Sequence, residues 1–318
     1  MMVKNPEGNI QKNGNPETKG ESGNGAKPFI KWAGGKSQLI KYIADKMPSN
    51  ILHSEGFTYI EPFVGSGAVL FCILNNVKNV KKAVINDINN DLTACYSTIQ
   101  TNAKELIKTL QKLEERYFSI KKEENRKEFF LEKREEFNER KKNNTEHAAL
   151  LIFLNKTCFN GLYRVNSKNQ FNVPFGNYKN PKICDAENLL AVNRALQNVV
   201  VLNKDFTETL KEVEEEPCFF YLDPPYKPIS KSSSFNAYSR NGFDDQEQRR
   251  LKEFLDLLNE KNIYWLLSNS DLKNIDPQDD FFDHLYRDFN IERVKAKRAI
   301  NSNAKKRGEI NELLIKNY

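Results

Sequence analysis

Residues 57–67 read FTYIEPFVGSG, and the fold class can be predicted from them and the residues that follow. Its first part, Phe57 to Glu61, is an apolar segment of strand length, and a proline and two glycines then make a turn. Ala68 to Leu74 begins a helix, and Ala83 to Asp87 has the pattern of a second strand. A strand, a helix and a strand in this order form a βαβ unit, which favours a parallel sheet covered by helices. The sequence therefore predicts an α/β fold.

The 318 residues divide into three parts by composition. Residues 1–26 are polar and have almost no apolar side chains, so we expect a disordered tail. Alternating strands and helices occupy 27–92 and return over 196–318, which predicts one catalytic domain built from both segments. Residues 93–195 carry a long, charged helical stretch and then a β-prone hairpin at about 158–179. We interpret this interruption as an insertion domain.

Composition narrows the functional classes. The net charge of +6 allows a polyanionic partner without requiring one. The five cysteines are scattered and never form a Cys-x-x-Cys pair, which is typical of reduced thiols in a cytoplasmic protein. The chain has only three histidines, so a metal site or a mechanism with a histidine base is not favoured. The apolar runs are too short to span a bilayer. We expect a cytoplasmic protein that binds no metal and no membrane.

The glycines of the turn after the first strand indicate a ligand site. Gly65 and Gly67 allow a ligand to approach the backbone closely, and a helix N-terminus offers free N–H groups. The third glycine of the dinucleotide-binding pattern is missing. Asp87 ends the next strand, where a carboxylate can accept hydrogen bonds from ribose hydroxyls. Together these residues indicate an adenosine-containing cofactor, although a tight turn and a helix-capping aspartate would look the same.

The segment Asp223-Pro224-Pro225-Tyr226 carries the predicted chemistry. It follows the apolar strand Phe219 to Leu222, at an edge where open α/β sheets bind ligands. The lone pair of an aromatic amine is conjugated into its ring, so the amine is a poor nucleophile. The Asp223 carboxylate and the Pro224 carbonyl can each accept one amine hydrogen and turn the lone pair outward. Tyr226 offers a face on which a base can stack.

Five motifs occur in the order and spacing of one enzyme family. They are PFIKWAGGK at 28–36, EPFVGSG at 61–67, NDIN at 86–89, DF at 205–206 and DPPY at 223–226. From Pro28 to Tyr318 the chain resembles the D12-class, Dam-like DNA adenine N6-methyltransferases of the alpha group. The resemblance implies a Rossmann-like methyltransferase domain that binds S-adenosylmethionine and methylates a flipped adenine in double-stranded DNA. It implies catalytic roles for Asp223, Pro224 and Tyr226, and cofactor contacts at Trp32, Lys36, Phe63, Gly65, Asp87, Asp205 and Asp223.

Residues 155–178 are similar to the hairpin that recognises the target in this family, so the resemblance makes 93–195 a DNA-binding, target-recognition domain. Arg164 is the candidate for reading guanine, because an arginine in the major groove can bond guanine O6 and N7 together. The resemblance further implies apolar base contacts at Leu162 and Pro174, and positions near the flipped base for Asn160 and Tyr178. A surface hairpin whose arginine only touches phosphate is the alternative.

The family reads GATC or sites beginning with GAT, which is therefore the expected target. Some relatives carry arginine where this chain has Asn177, so readout at the end of the site stays open. Methylation of cytosine N4 or of RNA adenine uses the same amine activation and is the alternative reaction. A catalytically inactive DNA-binding relative is a further alternative. The enzyme could act alone or beside a cognate restriction endonuclease, and the family suggests a monomer.

Overall fold

The computed structural model describes residues 25–32, 40–214, 217–226, 243–297 and 309–318. Its strands are β1 (Phe57–Glu61), β2 (Val80–Asn86), β3 (Val199–Leu202), β4 (Cys218–Leu222), β5 (Tyr264–Ser270), β6 (Asn290–Lys297) and β7 (Glu309–Lys316). They form one seven-stranded sheet in the order β3-β2-β1-β4-β5-β7-β6. Strands β1 to β5 run parallel, whereas β7 is antiparallel to β5 and to β6. The predicted α/β fold with a Rossmann-like parallel sheet is confirmed.

Helices pack on both faces of this sheet. They are α1 (Ile40–Asp45), α2 (Ser49–Leu52), α3 (Ala68–Asn76), α4 (Asn90–Ser119), α5 (Glu123–Glu139), α6 (Asn144–Thr157), α7 (Ala186–Ala195), α8 (Asp245–Glu260) and α9 (Phe281–Leu285). Every residue of β1 and β4 is buried, as expected for strands covered on both sides. Alternate residues therefore enter different cores: Tyr59 and Phe219 face one core, and Ile60 and Phe220 face the other.

The sequence located β1 to the residue, β4 to within one residue and β2 to within three residues at each end. It did not identify β6 or β7 as strands. Both pair in an antiparallel ladder at one edge of the sheet, where charged and polar residues interrupt the apolar ones and leave only the short run Leu313 to Ile315, which gives a weaker signal than the run in β4.

The segment predicted as an insertion contains most of α4, all of α5 and α6, the hairpin and α7. Its apolar residues join the core on the β1 face, because Leu151 and Phe153 of α6 belong to the same cluster as Tyr59. Of the predicted tail, residues 1–24 lie outside the described ranges, and Ala26 is buried beside Asn75, with which it shares two hydrogen bonds. Within the described ranges, no helix combines the length and the apolar character needed to cross a membrane.

Candidate active site

Four turns meet at the carboxyl edge of the parallel strands. The turn containing Gly65 follows β1, Asp87 follows β2, Asp205 follows β3 and Asp223 follows β4. The strand order reverses between β1 and β4, because β2 and β3 extend from one side of β1 and β4 lies on the other. Open α/β sheets bind ligands in the crevice at this position. The fold therefore brings the predicted turns to one place.

The glycine turn after β1 needs its glycines. Gly65 and Gly67 have φ angles of +50° and +74°, in the left-handed region that side chains with a Cβ disfavour. A Cβ on Gly67 would also lie 2.6 Å from the Tyr96 hydroxyl, which donates a hydrogen bond to the Gly65 carbonyl over 3.0 Å. The turn leads directly into α3, whose N-cap is Gly67. The two glycines thus let the backbone of this turn lie beside the crevice with no side chains of its own at these positions.

Asp87 connects this turn to the next one. Its carboxylate accepts hydrogen bonds from the backbone N–H of Gly65 at 3.2 Å and of Asn89 at 2.9 Å. Burial raises the pKa of Asp87 to about 6, although both hydrogen bonds favour the charged form. A carboxylate has about four acceptor positions, so two backbone bonds leave capacity for a ligand's hydroxyl groups. The site can therefore bind a polyol such as ribose.

Asp223 and Pro224 stand directly after the buried strand β4, with Asp223 half-buried and Pro224 buried. The buried carboxyl group of Glu61 lies close by, at the end of the neighbouring strand β1, and accepts a hydrogen bond from Tyr59 over 2.9 Å. Burial and then the charge of Asp223 raise the pKa of Glu61 well above its usual value. Two carboxyl groups thus lie at the ends of the neighbouring strands β1 and β4, and burial shifts that of Glu61 toward its protonated form.

Trp32 reaches the crevice because Asn155 fixes the segment before it. Asn155, buried near the end of α6, accepts a hydrogen bond from the Lys31 N–H and donates to the Lys31 carbonyl, both over 2.9 Å. The Trp32 ring then stacks on Tyr163, with 4.9 Å between ring centroids and an interplanar angle of 28°. It also lies against the glycine turn, because a Cβ on Gly65 would be 3.2 Å from Trp32 Cδ1. Lys36, the next predicted cofactor contact, lies outside the described residues.

Phe63 and Asp205 border the crevice on the β3 side. Phe63 packs against Phe206, with ring centroids 5.3 Å apart. The Asp205 carboxylate is already engaged by Thr207 and, over 2.6 Å, by Arg250. Partial burial tends to raise the pKa of Asp205, but these hydrogen bonds outweigh it and lower the pKa. Asp205 therefore fixes the position of Phe206 more directly than it offers its carboxylate to a ligand.

The predicted hairpin is present as two antiparallel bridges, Cys158 to Phe175 and Val165 to Phe171. Its first arm starts with a short 3-10 helix, Phe159–Gly161, within the stretch that the sequence predicted to be β-prone. The Arg164 guanidinium lies across the hairpin and donates to the Asn172 side chain over 2.7 Å and to the Asn172 carbonyl over 3.3 Å. Asn172 therefore orients the arginine that the sequence singled out.

The base of the hairpin lies beside the segment that carries Trp32. The Asn160 N–H donates to the Tyr178 hydroxyl over 2.9 Å, and Lys31 Nζ lies 5.8 Å from the centroid of the Tyr178 ring. Leu162 is half-buried and Pro174 is exposed. The structure thus brings Asn160 and Tyr178 together near the crevice, with Leu162 and Pro174 further along the same hairpin.

Sequence reasoning missed three residues that organise the site. Asn155 ends an apolar helical run, and a polar side chain in such a run is the available signal. Glu61 was quoted in a motif without a role of its own. Glu312 on β7 accepts a hydrogen bond from the Tyr226 hydroxyl over 3.0 Å, and no local pattern connects these two residues.

Comparison with known proteins gives a consistent result. A family model described as D12 class N6 adenine-specific DNA methyltransferase matches residues 32–300. The chain is 47% identical over 295 residues to the type II methyltransferase M.MjaIII of Methanocaldococcus jannaschii, a match that covers 92% of this chain and 99% of that protein. It is 37% identical to the type II methyltransferase M1.LlaDCHI of Lactococcus lactis subsp. cremoris, covering 92% and 95%. It is 32% identical to the DNA adenine methylase of Escherichia coli strain K12, covering 90% and 93%.

Proposed function

The chain belongs to the D12 class of N6 adenine-specific DNA methyltransferases, and on that premise we propose that it methylates a flipped adenine within GATC or a GAT-containing site, with S-adenosylmethionine as donor. The observation that carries the proposal is the meeting of Asp223 with the Gly65 turn and Asp87 at the point where the strand order reverses. An amine-activating group and a nucleoside-binding group thus border one crevice.

The residues around Asp87 fit the adenosyl part of this cofactor. Asp87 would accept hydrogen bonds from the ribose hydroxyls, the Gly65 turn would contact the cofactor through its backbone, and Trp32 and Phe63 would supply apolar walls. Asp205 would act by holding the Phe206 side of the pocket. When bound, S-adenosylmethionine supplies an electrophilic methyl group. Lys36 and Asp223 complete the proposed set of contacts.

The residues after β4 would prepare the adenine amine. The Asp223 carboxylate and the Pro224 carbonyl each accept one N6 hydrogen, which draws the nitrogen toward tetrahedral geometry and frees its lone pair. Two consecutive prolines fix φ and remove competing N–H donors, so both acceptors are held rigidly. The Tyr226 ring stacks on the flipped base, and most of the rate gain comes from this positioning.

The hairpin would supply sequence recognition. Arg164, already oriented by Asn172, can form paired hydrogen bonds with one guanine in the major groove. Leu162 and Pro174 provide apolar contacts such as those made to a thymine methyl group. Asn160 and Tyr178, which are hydrogen-bonded to each other, would contact the displaced adenine.

The biological setting is a further part of the proposal. Two of the similar proteins are named type II methyltransferases, which supports a partnership with a cognate restriction endonuclease. We infer a cytoplasmic monomer acting on chromosomal or phage DNA.

The test is to express the protein in a host without adenine methylation and to map modified bases in its DNA. We expect N6-methyladenine in one short motif containing GAT, and its absence with Asp223→Ala. If the modified base were cytosine, or if methyladenine occurred only in RNA, the proposed substrate would be wrong. Modification at a motif without GAT would correct the hairpin assignment and leave the reaction intact.

A further inference from the structure

Asp91 is the centre of a buried group of hydrogen bonds. It lies in the first turn of α4 and is only 4% exposed. Its carboxylate accepts hydrogen bonds from both terminal nitrogens of Arg140, from His147 Nε2 over 3.1 Å and from the Tyr163 hydroxyl over 2.7 Å. Burial tends to raise the pKa of Asp91, but these bonds hold it well below its ordinary value. One ionised group therefore joins α4, α5, α6 and the hairpin.

One branch of this group reaches the hairpin turn. Arg140 follows α5 with a φ of +55°, and this bend directs its side chain back toward Asp91. Its Nη2 atom also donates to the backbone carbonyl of Asn169 over 3.3 Å. Asn169 belongs to the turn between the two arms of the hairpin, where the backbone of Asn166 bonds to that of Gln170. Movement of the turn would therefore disturb Arg140 and, through it, Asp91.

The other branch reaches the proposed cofactor pocket. The hydroxyl of Tyr163 is bound to Asp91, and its ring stacks on Trp32. Trp32 in turn lies against Gly65, whose N–H donates to Asp87. The orientation of the tryptophan that lines the pocket thus depends on the tyrosine that Asp91 holds.

We propose that Asp91 is a positioning residue that couples the recognition hairpin to the cofactor pocket, so that duplex DNA and the cofactor each strengthen binding of the other. The proposal rests on the proposed function, which makes Trp32 a cofactor contact and the hairpin a DNA contact. The first ligand orders the Arg140–Asp91–Tyr163 group, and the second then binds without that entropic cost. Such coupling is reciprocal, because both binding steps share one free-energy cycle.

The measured quantity is a coupling factor: the Kd of S-adenosylhomocysteine without DNA divided by its Kd with a saturating duplex that carries GATC or the motif found by mapping. For the wild type we expect a factor of about 5 or more, within the usual range of allosteric coupling. Tyr163→Phe keeps the ring and removes only the hydroxyl, and Arg140→Gln removes the link to the turn. Each should lower the factor at least about threefold, and the double variant should lose no more than the larger single loss, since both act through Asp91.

Two matched controls separate coupling from simple stabilisation. Tyr264→Phe removes a hydroxyl that accepts one hydrogen bond, from Asn50 over 2.8 Å. Arg293→Gln breaks a similar pair, because the Arg293 and Arg140 side chains are both 33% exposed and their aspartate partners, Asp271 and Asp91, are 2% and 4% exposed. The controls should lower Tm and leave the coupling factor unchanged.

If Tyr163→Phe and Arg140→Gln lower Tm but keep the wild-type factor, the group around Asp91 only holds the helices together and the proposal fails. A wild-type factor of one also overturns it. Binding of S-adenosylhomocysteine and methyl transfer by the same wild-type preparation test the proposed function separately, so the two failures are distinguishable.

Discussion

The hydroxyl of Tyr226 donates a hydrogen bond to Glu312 Oε2 over 3.0 Å. Tyr226 follows β4, whereas Glu312 belongs to β7, two strands away in the sheet. The hydrogen bond is made by the hydroxyl group at the edge of the ring and fixes the orientation of the ring. Because 37% of the tyrosine is exposed, the ring is still accessible to a base. Strand β7 therefore orients an aromatic side chain of the segment that we propose to be catalytic.

Glu312→Ala should lower kcat about tenfold. One hydrogen bond to a charged acceptor contributes about 1.5–3 kcal/mol, and we expect part of this free energy to position the Tyr226 ring in the transition state. Glu312→Gln retains an acceptor oxygen and should recover most of the rate. Single-turnover kinetics with a duplex substrate measure both. Glu292→Ala on β6 removes a carboxylate that pairs with Lys46 at the surface and serves as the control. Equal kcat for Glu312→Ala and the wild type would show that Tyr226 needs no such support.

Asp223→Ala should reduce methyl transfer by at least about a hundredfold, the usual effect of removing one preorganised hydrogen-bonding group that acts on the reacting atoms. DNA affinity should change little, because the hairpin is separate from this segment. Methyl incorporation, duplex binding and Tm of the same preparation decide the matter. Near-normal turnover of this variant would refute the activation mechanism.

Cofactor affinity should depend on pH through Asp87. Burial raises the pKa of Asp87 from 3.8 to about 6. The contribution of Asp87 to folding stability is therefore complete below the pKa of the unfolded state and is lost as the pH rises through about 6. The proposed binding has the opposite dependence, because ribose hydroxyls would donate hydrogen bonds to the ionised carboxylate. Affinity for S-adenosylhomocysteine should therefore fall as pH falls below about 6, by up to about tenfold per pH unit.

Calorimetric titrations between about pH 5 and pH 8, without DNA, follow this change directly. Asp87→Asn should bind weakly and independently of pH. If the variant keeps the pH dependence of the wild type, another group such as Glu61 causes it.

The sequence predicted the parts of the fold that depend on local patterns. Continuous apolar runs located β1 and β4, and glycines in the turn after β1 located the crevice. Strand β7 has only the three-residue apolar run Leu313 to Ile315, and its Glu312 forms a hydrogen bond with a residue 86 positions earlier in the chain. The group around Asp91 was also invisible, because its hydrogen bonds span 49 residues to Arg140 and 72 to Tyr163. Contacts between residues so far apart in the chain depend on the topology of the fold, which local sequence patterns do not reveal.

Arg164→Ala should relax specificity at a single guanine of the target. A bidentate arginine–guanine contact contributes about 1–3 kcal/mol of discrimination, or roughly 5-fold to 150-fold. Asn172→Ala should have a smaller effect in the same direction, because Asn172 orients the guanidinium over 2.7 Å without reading a base. The measurement compares kcat/KM for the cognate duplex with that for duplexes substituted at one position at a time. A uniform loss across all duplexes, with a weaker salt dependence, would instead assign Arg164 to a phosphate. Arg134→Ala is the matched control: its Nη1 lies 3.5 Å from the Val173 carbonyl, so it removes a neighbouring positive charge and should leave specificity unchanged.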